Sequence, residues 1–247
     1  MNTQIEGKVA LVTGSNRGIG RALVDELIAR GASKVYATAR DVSSLISLVE
    51  KHGEKVVPVA LDVTDFDQVN ALAGIAGDVE VVVSNAGYAE QADLFADDLG
   101  PARQEFEVNY WGTLNVARAL VPVLESNGGG AFINLSSIAG LGNFPMLPTY
   151  SDSKAAVHSL TQGLRLLKGT SIQFVGVYPG PVDTDMAEKI ELEKASPESV
   201  AVEVFDAVEA GKTEVFPDPM AKGYAGPYEA GTRAIELQTA AMMAEGS

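Results

Sequence analysis

Along the chain, short apolar runs rich in β-branched residues alternate with longer segments whose apolar positions recur at helical spacing. The runs are KVALVT (8–13), KVYAT (34–38), KVVPVAL (55–61), VEVVVS (79–84), AFINLS (131–136) and IQFVGVY (172–178), with the short TEVF (213–216) as a seventh candidate. Strands that are apolar at every position, rather than at alternate ones, are covered on both faces. After the first run, IGRALVDELIARG repeats apolar residues at helical spacing and ends on Gly31, suited to the left-handed turn past a helix end. LGPARQEFEVNYWGTLNVARALVPVLESNGGG reads as a long helix stopped by three glycines. PTYSDSKAAVHSLTQGLRLLKGT reads as another, with Pro148 in its opening turn, where a missing N–H costs little.

This βαβαβ alternation predicts an α/β fold, a doubly wound parallel sheet of about seven strands with helices on both faces. No linker, low-complexity stretch or solenoid repeat interrupts it, so residues 1–247 are expected to form one domain. The less regular stretch 182–247 is expected to supply substrate loops and a C-terminal segment of that domain.

Composition narrows the function. Hydrophobic residues make up 46% of the 247, enough for a sizeable core. With no cysteine, disulfides and thiolate metal sites are excluded, and the two histidines, His52 and His158, lie too far apart in sequence to suggest a metal site. A net charge of −15 argues against nucleic acid and anionic membrane surfaces as partners; an anionic ligand would need local donors. No apolar run is long enough to cross a bilayer and MNTQIEGK lacks a signal-peptide core, so a cytoplasmic protein is expected.

The first strand runs straight into TGSNRGIG and then a helix. Gly14 allows a tight turn, Gly18 lets backbone approach a ligand, Gly20 permits close helix–strand packing, and the helix N-terminus offers N–H groups to a pyrophosphate. Glycines alone could mark an ordinary turn; the strand–turn–helix setting is what favours dinucleotide binding. Tyr150 and Lys154, in YSDSK, stand at i and i+4 and share a helix face in the first turns after Pro148. An isolated pair of this kind is usually a solvated surface. A neighbouring ammonium, with the positive helix end, would however lower a phenol from its ordinary pKa near 10 toward a range useful for proton transfer.

The spacing T-G-x-x-x-G-x-G resembles that of the classical short-chain dehydrogenase/reductase family, and further motifs follow in that family's order. SNAG (84–87) resembles its N-N-A-G turn with Ser84 in the first position, NYWG (109–112) its N-x-x-G, INLSS (133–137) its serine-bearing strand end, and PGPVDTDM (179–186) its prolyl turn. The resemblance covers roughly residues 8 to 186 and implies a Rossmann-type fold. It implies that Tyr150 is the general acid/base, that Lys154 binds the nicotinamide ribose and holds the phenol's pKa down, that Ser137 bonds the substrate oxygen, and that Asn109 holds a water leading from Lys154. Ser137 is preferred to Ser136 because it stands thirteen residues before Tyr150, the family's usual interval, and because side chains alternate along a strand.

The same resemblance implies cofactor contacts from Gly14, Ser15, Asn16, Arg17, Gly18, Ile19 and Gly20, from Asp62 and Val63, and from Asn85, Ala86 and Gly87. It adds Pro179, Gly180, Val182 and Thr184, besides Tyr150 and Lys154. Thr38 takes the place after the second strand where NAD-binding relatives carry an acidic residue, and Arg40 follows. With Arg17 it favours the 2′-phosphate of NADP(H) over NAD(H), unless Asp41 reaches the ribose rather than capping the next helix. Asp62 either contacts the adenine or caps a helix, with Thr64 as the rival cap. No metal is expected.

For the substrate, the resemblance points to Ser137, Tyr150 and Met186 and to the uncharged loop IAGLGNFPMLPT, where Leu141 and Phe144 either line an apolar pocket or pack the loop. The expected function is an NADP(H)-dependent oxidoreductase, a carbonyl reductase or alcohol dehydrogenase, acting on a small apolar ketone, aldehyde or alcohol. Alternatives are a β-ketoacyl carrier-protein reductase, which the acidic residues Glu90, Asp93, Asp97 and Asp98 disfavour, and a non-catalytic NADP-binding regulatory protein. The family implies a homodimer or homotetramer, although the sequence after residue 216 departs from the family's usual ending.

Overall fold

A computed structural model describes residues 2–90, 92–168, 171–233 and 237. Seven parallel strands form one sheet: β1 (Val9–Val12), β2 (Lys34–Ala39), β3 (Val56–Ala60), β4 (Val81–Ser84), β5 (Gly130–Leu135), β6 (Ile172–Val177) and β7 (Glu214–Val215), in the order β3-β2-β1-β4-β5-β6-β7. Each of the seven apolar runs yields one strand, with ends differing by a residue or two. Pro58 is tolerated because β3 lies at the sheet edge, where a missing N–H breaks no central ladder.

Why these strands are apolar at every position is visible in the packing. Alternate residues feed two separate cores, one on each face. Ala10, Val12, Val81, Val83, Ile133 and Val175 enter the first core, with α1 (Gly18–Ala29), α2 (Ile46–His52) and α7 (Pro197–Glu209) over it. Leu11, Val82, Phe132 and Phe174 enter the second, covered chiefly by α3 (Phe66–Ile75) and α5 (Thr113–Ser126), with Leu164 of α6 (Pro148–Lys168) at its margin. Arg30 staples α1 to α7 through Glu26, Asp206 and Glu209 at 2.6, 2.7 and 2.7 Å.

The long helix is not uniform. α4 (Gly100–Phe106) passes into a π-helical turn, Glu107–Gly112, before α5, and Asn109 sits in that wider turn. The C-terminal stretch also proves more regular than its sequence suggests. Ser196 caps α7 and Asp218 caps α8 (Pro219–Ala230), each followed by a proline at the first helical position. Among the described residues, no helix is long and apolar enough to cross a membrane. The order in which strands are added to the sheet reverses between β1 and β4, and a cleft of about 920 Å³ opens at the carboxyl ends of the strands beside this switch point.

Candidate active site

The floor of the cleft is the turn between β1 and α1. Gly14 (φ 65°) and Gly18 (φ 52°) hold left-handed conformations open to glycine. A Cβ on Gly20 would lie 2.0 Å from the Gly14 carbonyl oxygen, so this helix can approach its strand only as built. Arg17 at the α1 N-cap makes no side-chain cap, leaving the first-turn N–H groups available. The SNAG turn is stitched to the same place: the Asn85 amide donates to the carbonyls of Thr13 and Gly14, and Thr13 Oγ1 accepts from the N–H groups of Asn85 and Ala86. Glycine cradle, uncapped helix end and cleft size together fit a dinucleotide.

Most of the cofactor residues expected from sequence meet on the cleft wall: Gly14, Asn16, Arg17, Gly18, Ile19, Gly20, Arg40, Asp62, Val63, Asn85, Ala86, Gly87, Pro179, Gly180, Val182 and Thr184. Two do not. The Ser15 hydroxyl turns inward, donating to the Val12 carbonyl and accepting from Thr38 N–H, and Thr38 is buried in β2 rather than facing the cleft. Ala39, Arg40, Asp41 and Ser44 occupy the wall where Thr38 was expected, because β2 runs on to Ala39. Asp41 caps its own short turn, its Oδ1 accepting from Ser43 N and Oγ at 2.9 and 2.7 Å. Neither Asp62 nor Thr64 caps α3; Asp65 does, and Asp62 instead binds Thr64 N and Oγ1. Arg17 bridges Asp185 at 2.7 Å across the cleft mouth, both side chains being well exposed.

Deeper in, α6 brings Tyr150 and Lys154 to the wall opposite the end of β5, which brings Ser137. Ser137 Oγ caps a short turn by accepting from Ala139 N, donates to the Pro179 carbonyl at 3.2 Å, and stands close enough to the Tyr150 phenol to oppose the rise in its pKa. Ser136 points away, its hydroxyl donating to the Lys154 carbonyl. Lys154 Nζ donates to the Leu135 carbonyl at 2.8 Å and lies 5.7 Å from the Tyr150 ring centroid. Asn109 stands behind them, fully buried: Oδ1 accepts from Tyr88 N, and Nδ2 donates to the Tyr88 carbonyl and to Ser153 Oγ.

The electrostatics correct one expectation. Tyr150 is not lowered by its lysine in this cleft. Burial pushes the phenol up to about 12, Ser137 opposing and the negative charge of Glu105 adding to the rise. Burial also pushes the Lys154 amine down to about 8. Desolvation disfavours the charged form of each, and the ammonium, held toward Leu135, does not offset it.

Apolar side chains also line the cleft: Phe144, Met146, Leu147, Met186, Ile190, Leu192 and Met220. Leu141 is not among them. It packs instead on a small cluster with Ile138, Tyr178 and Ala221. His158 is a packing residue too, its Nδ1 2.8 Å from Tyr178 Oη.

Sequence reasoning missed two buried carboxylates. Asp218 Oδ2 accepts from Gly180 N at 2.7 Å while Oδ1 caps α8 at Ala221 N, so one side chain ties the prolyl turn to the last helix. Aspartate before Pro219 is a capping signal that sequence could have supplied. Glu105 is wholly buried, its oxygens accepting from Glu90 N and Thr149 Oγ1. Its only signal is its place one helical turn before Asn109.

The short chain dehydrogenase family model matches residues 8–195. The chain belongs to the short-chain dehydrogenase family. Oxidoreductase BOA17 of Botryotinia fuckeliana is 36% identical over 186 residues, spanning 73% of this chain and 68% of that protein. A short-chain dehydrogenase from Burkholderia cenocepacia, solved in complex with NADP, is 40% identical with a TM-score of 0.86, covering 95% of this chain and 98% of its own. A short-chain dehydrogenase/reductase from Burkholderia phymatum, solved with NAD, is 26% identical with a TM-score of 0.81, covering 95% and 96%. As a member of this family the protein is an oxidoreductase with a doubly wound parallel sheet.

Proposed function

We propose that this short-chain dehydrogenase is NADP(H)-dependent and interconverts an apolar ketone or aldehyde with its alcohol, Tyr150 acting as general acid/base. The observation that carries this reading is the meeting of Ser137, Tyr150 and Lys154 on the wall of one glycine-cradled cleft. NADPH bound there supplies the hydride. The chain's own groups handle the proton and the orientation.

In reduction, Tyr150 gives its phenolic proton to the carbonyl oxygen; in oxidation it takes the proton back. With the phenol raised to about 12, its acid form prevails at neutral pH. Ser137, beside that phenol, turns its hydroxyl from the Pro179 carbonyl to donate to the same substrate oxygen and steadies the charge that develops on it. Lys154 is cationic below about 8, and its place beside Tyr150 suits it to hydroxyls of the nicotinamide ribose.

Arg17 and Arg40, both on the cleft wall, support a 2′-phosphate as ligand, and Asp41 is turned into its own cap. The NADP bound by the Burkholderia cenocepacia relative supports the same choice. Met146, Met186 and Met220 on the cleft wall favour adaptable recognition of uncharged substrates. Exposed Asp93, Asp97 and Asp98, on the segment after β4, disfavour an acidic carrier protein.

The test is a panel of ketones and aldehydes with NADPH and NADH. Carbonyl-dependent loss of NADPH absorbance is expected, faster than with NADH, and Tyr150→Phe is expected to lose roughly 10²–10⁴-fold in rate while still binding NADPH. NADPH binding without turnover on any carbonyl, or a fully active Tyr150→Phe, refutes the reading. A strong preference for acetoacetyl thioesters assigns the protein to carrier-protein reduction instead.

A further inference from the structure

Two acceptors on the long helix hold the loop after β4 against α6. Asn109 accepts from Tyr88 N at 2.8 Å and donates to Ser153 Oγ at 2.9 Å. Glu105 accepts from Glu90 N at 2.9 Å and from Thr149 Oγ1 at 2.6 Å. The spacings match: two residues along an extended loop, one helical turn along each helix. The result is a ladder of two rungs, Tyr88–Asn109–Ser153 and Glu90–Glu105–Thr149. On α6 each rung ends one residue before a member of the catalytic pair, Thr149 before Tyr150 and Ser153 before Lys154.

The second rung is buried from Glu105 inward, Glu90 at its outer end being exposed. Glu105 is 0% exposed, Thr149 5% and Ala92, whose carbonyl the Thr149 hydroxyl also reaches, 9%. A carboxylate in such a place carries a desolvation penalty that an apolar residue of similar size avoids.

We propose that Glu105 is a positioning residue of the reaction, holding Thr149 and the loop after β4 so that the Tyr150 phenol stays on the cleft wall. The inference rests on the function proposed above. Glu105 also acts through space. The titratable groups around it are Tyr88 and Glu90 on the loop, with Arg40 beyond Tyr88, and Tyr150 on α6; its charge raises both phenols, Tyr88 and Tyr150. It therefore favours Tyr150 as an acid.

Two variants separate the roles. Glu105→Gln keeps an acceptor for Glu90 N and a partner for the Thr149 hydroxyl but removes the charge. Thr149→Val keeps the charge and cuts the rung. Glu105→Gln is expected to move the acid limb of the kcat/KM profile for alcohol oxidation to lower pH, since a phenol without a negative neighbour ionises more readily. Thr149→Val is expected to lower kcat by about tenfold or more, with the NADPH dissociation constant within about twofold of wild type. A purely structural role lowers thermal stability and moves neither readout. Either expected change supports the proposal. An unmoved or upward-moved profile in Glu105→Gln, together with kcat within about twofold in Thr149→Val, overturns it. A wild type inert toward every carbonyl takes down the proposed function and this inference together; an active wild type with unaffected variants overturns this inference alone.

Discussion

Asp218→Ala removes one side chain and two bonds. The bond from Gly180 N, at 2.7 Å, reaches a carboxylate that is 3% exposed, and no water can replace it without opening the turn. A hydrogen bond to a charged group contributes about 1.5–3 kcal/mol, and the orphaned N–H keeps its desolvation penalty after the mutation. The bond from Ala221 N, at 2.9 Å, is the α8 cap, which contributes about 1 kcal/mol. Relief from burying the charge offsets part of the sum, which is then about 2–4 kcal/mol. For a chain of this length that lowers the apparent Tm by roughly 4–16 °C. Asp218→Asn retains a good capping residue and should lose about half as much or less. Urea and thermal unfolding read the stabilities. Steady-state kinetics read the consequence for the cleft, because the Gly180 turn leads to Thr184 and Met186 and α8 contributes Met220. A Tm for Asp218→Ala within a degree of wild type refutes the claim that this carboxylate clamps the prolyl turn to α8.

Gly20→Ala places a Cβ 2.0 Å from the Gly14 carbonyl oxygen and 2.5 Å from Asn85 Nδ2, neither of which can move without undoing the turn. The expected cost is about 1–3 kcal/mol or more in stability together with loss of NADPH binding; fluorescence titration showing wild-type affinity contradicts the cradle. Lys154 has a pKa of about 8 in the fold against 10.5 as its ordinary value, so the unfolded chain binds more protons between those limits. Its burial penalty is therefore full below about 8 and is relieved as pH rises toward 10.5, a change on the order of 3 kcal/mol. Urea unfolding of wild type and Lys154→Met should show the wild type gaining stability relative to the variant from pH 8 upward, and a constant or shrinking difference excludes a desolvated amine.

What sequence conveys well is whatever depends on neighbours in the chain. Seven apolar runs become seven strands, because burial on both faces of a parallel sheet leaves a continuous hydrophobic signature. The glycine turn is legible for a similar reason, since φ values and close approach restrict residue type at Gly14, Gly18 and Gly20. Facing is harder to read. Ser15, Thr38 and Leu141 lie within a residue or a few of the cleft wall, yet their side chains turn into the turn, the sheet and a packing cluster respectively. Asp218 was legible in principle from its prolyl neighbour, but its partner Gly180 lies 38 residues away. Glu105 looks like any helical glutamate until α6 and the β4 loop close over it.

The direction of the Tyr150 shift shows most clearly what a motif leaves out. Four residues of spacing put an amine beside a phenol, and in water that proximity would favour phenolate. Burial reverses it, because desolvation acts on each group alone while their attraction acts only on the charged pair, and here the amine leans toward the Leu135 carbonyl. Ionising a phenol of about 12 at pH 7 costs about 7 kcal/mol, against about 4 kcal/mol for an ordinary phenol near 10. The cleft is thus set for proton donation, the role that the proposed carbonyl reduction asks of Tyr150. Alcohol oxidation requires the opposite, and the groups able to supply it are within reach: the Ser137 hydroxyl beside the phenol and a Lys154 ammonium drawn from Leu135 toward the cleft. If the oxidative rate climbs steeply with pH while the reductive rate holds level up to about 8, where Lys154 loses its proton, both features trace to the desolvation of the pair.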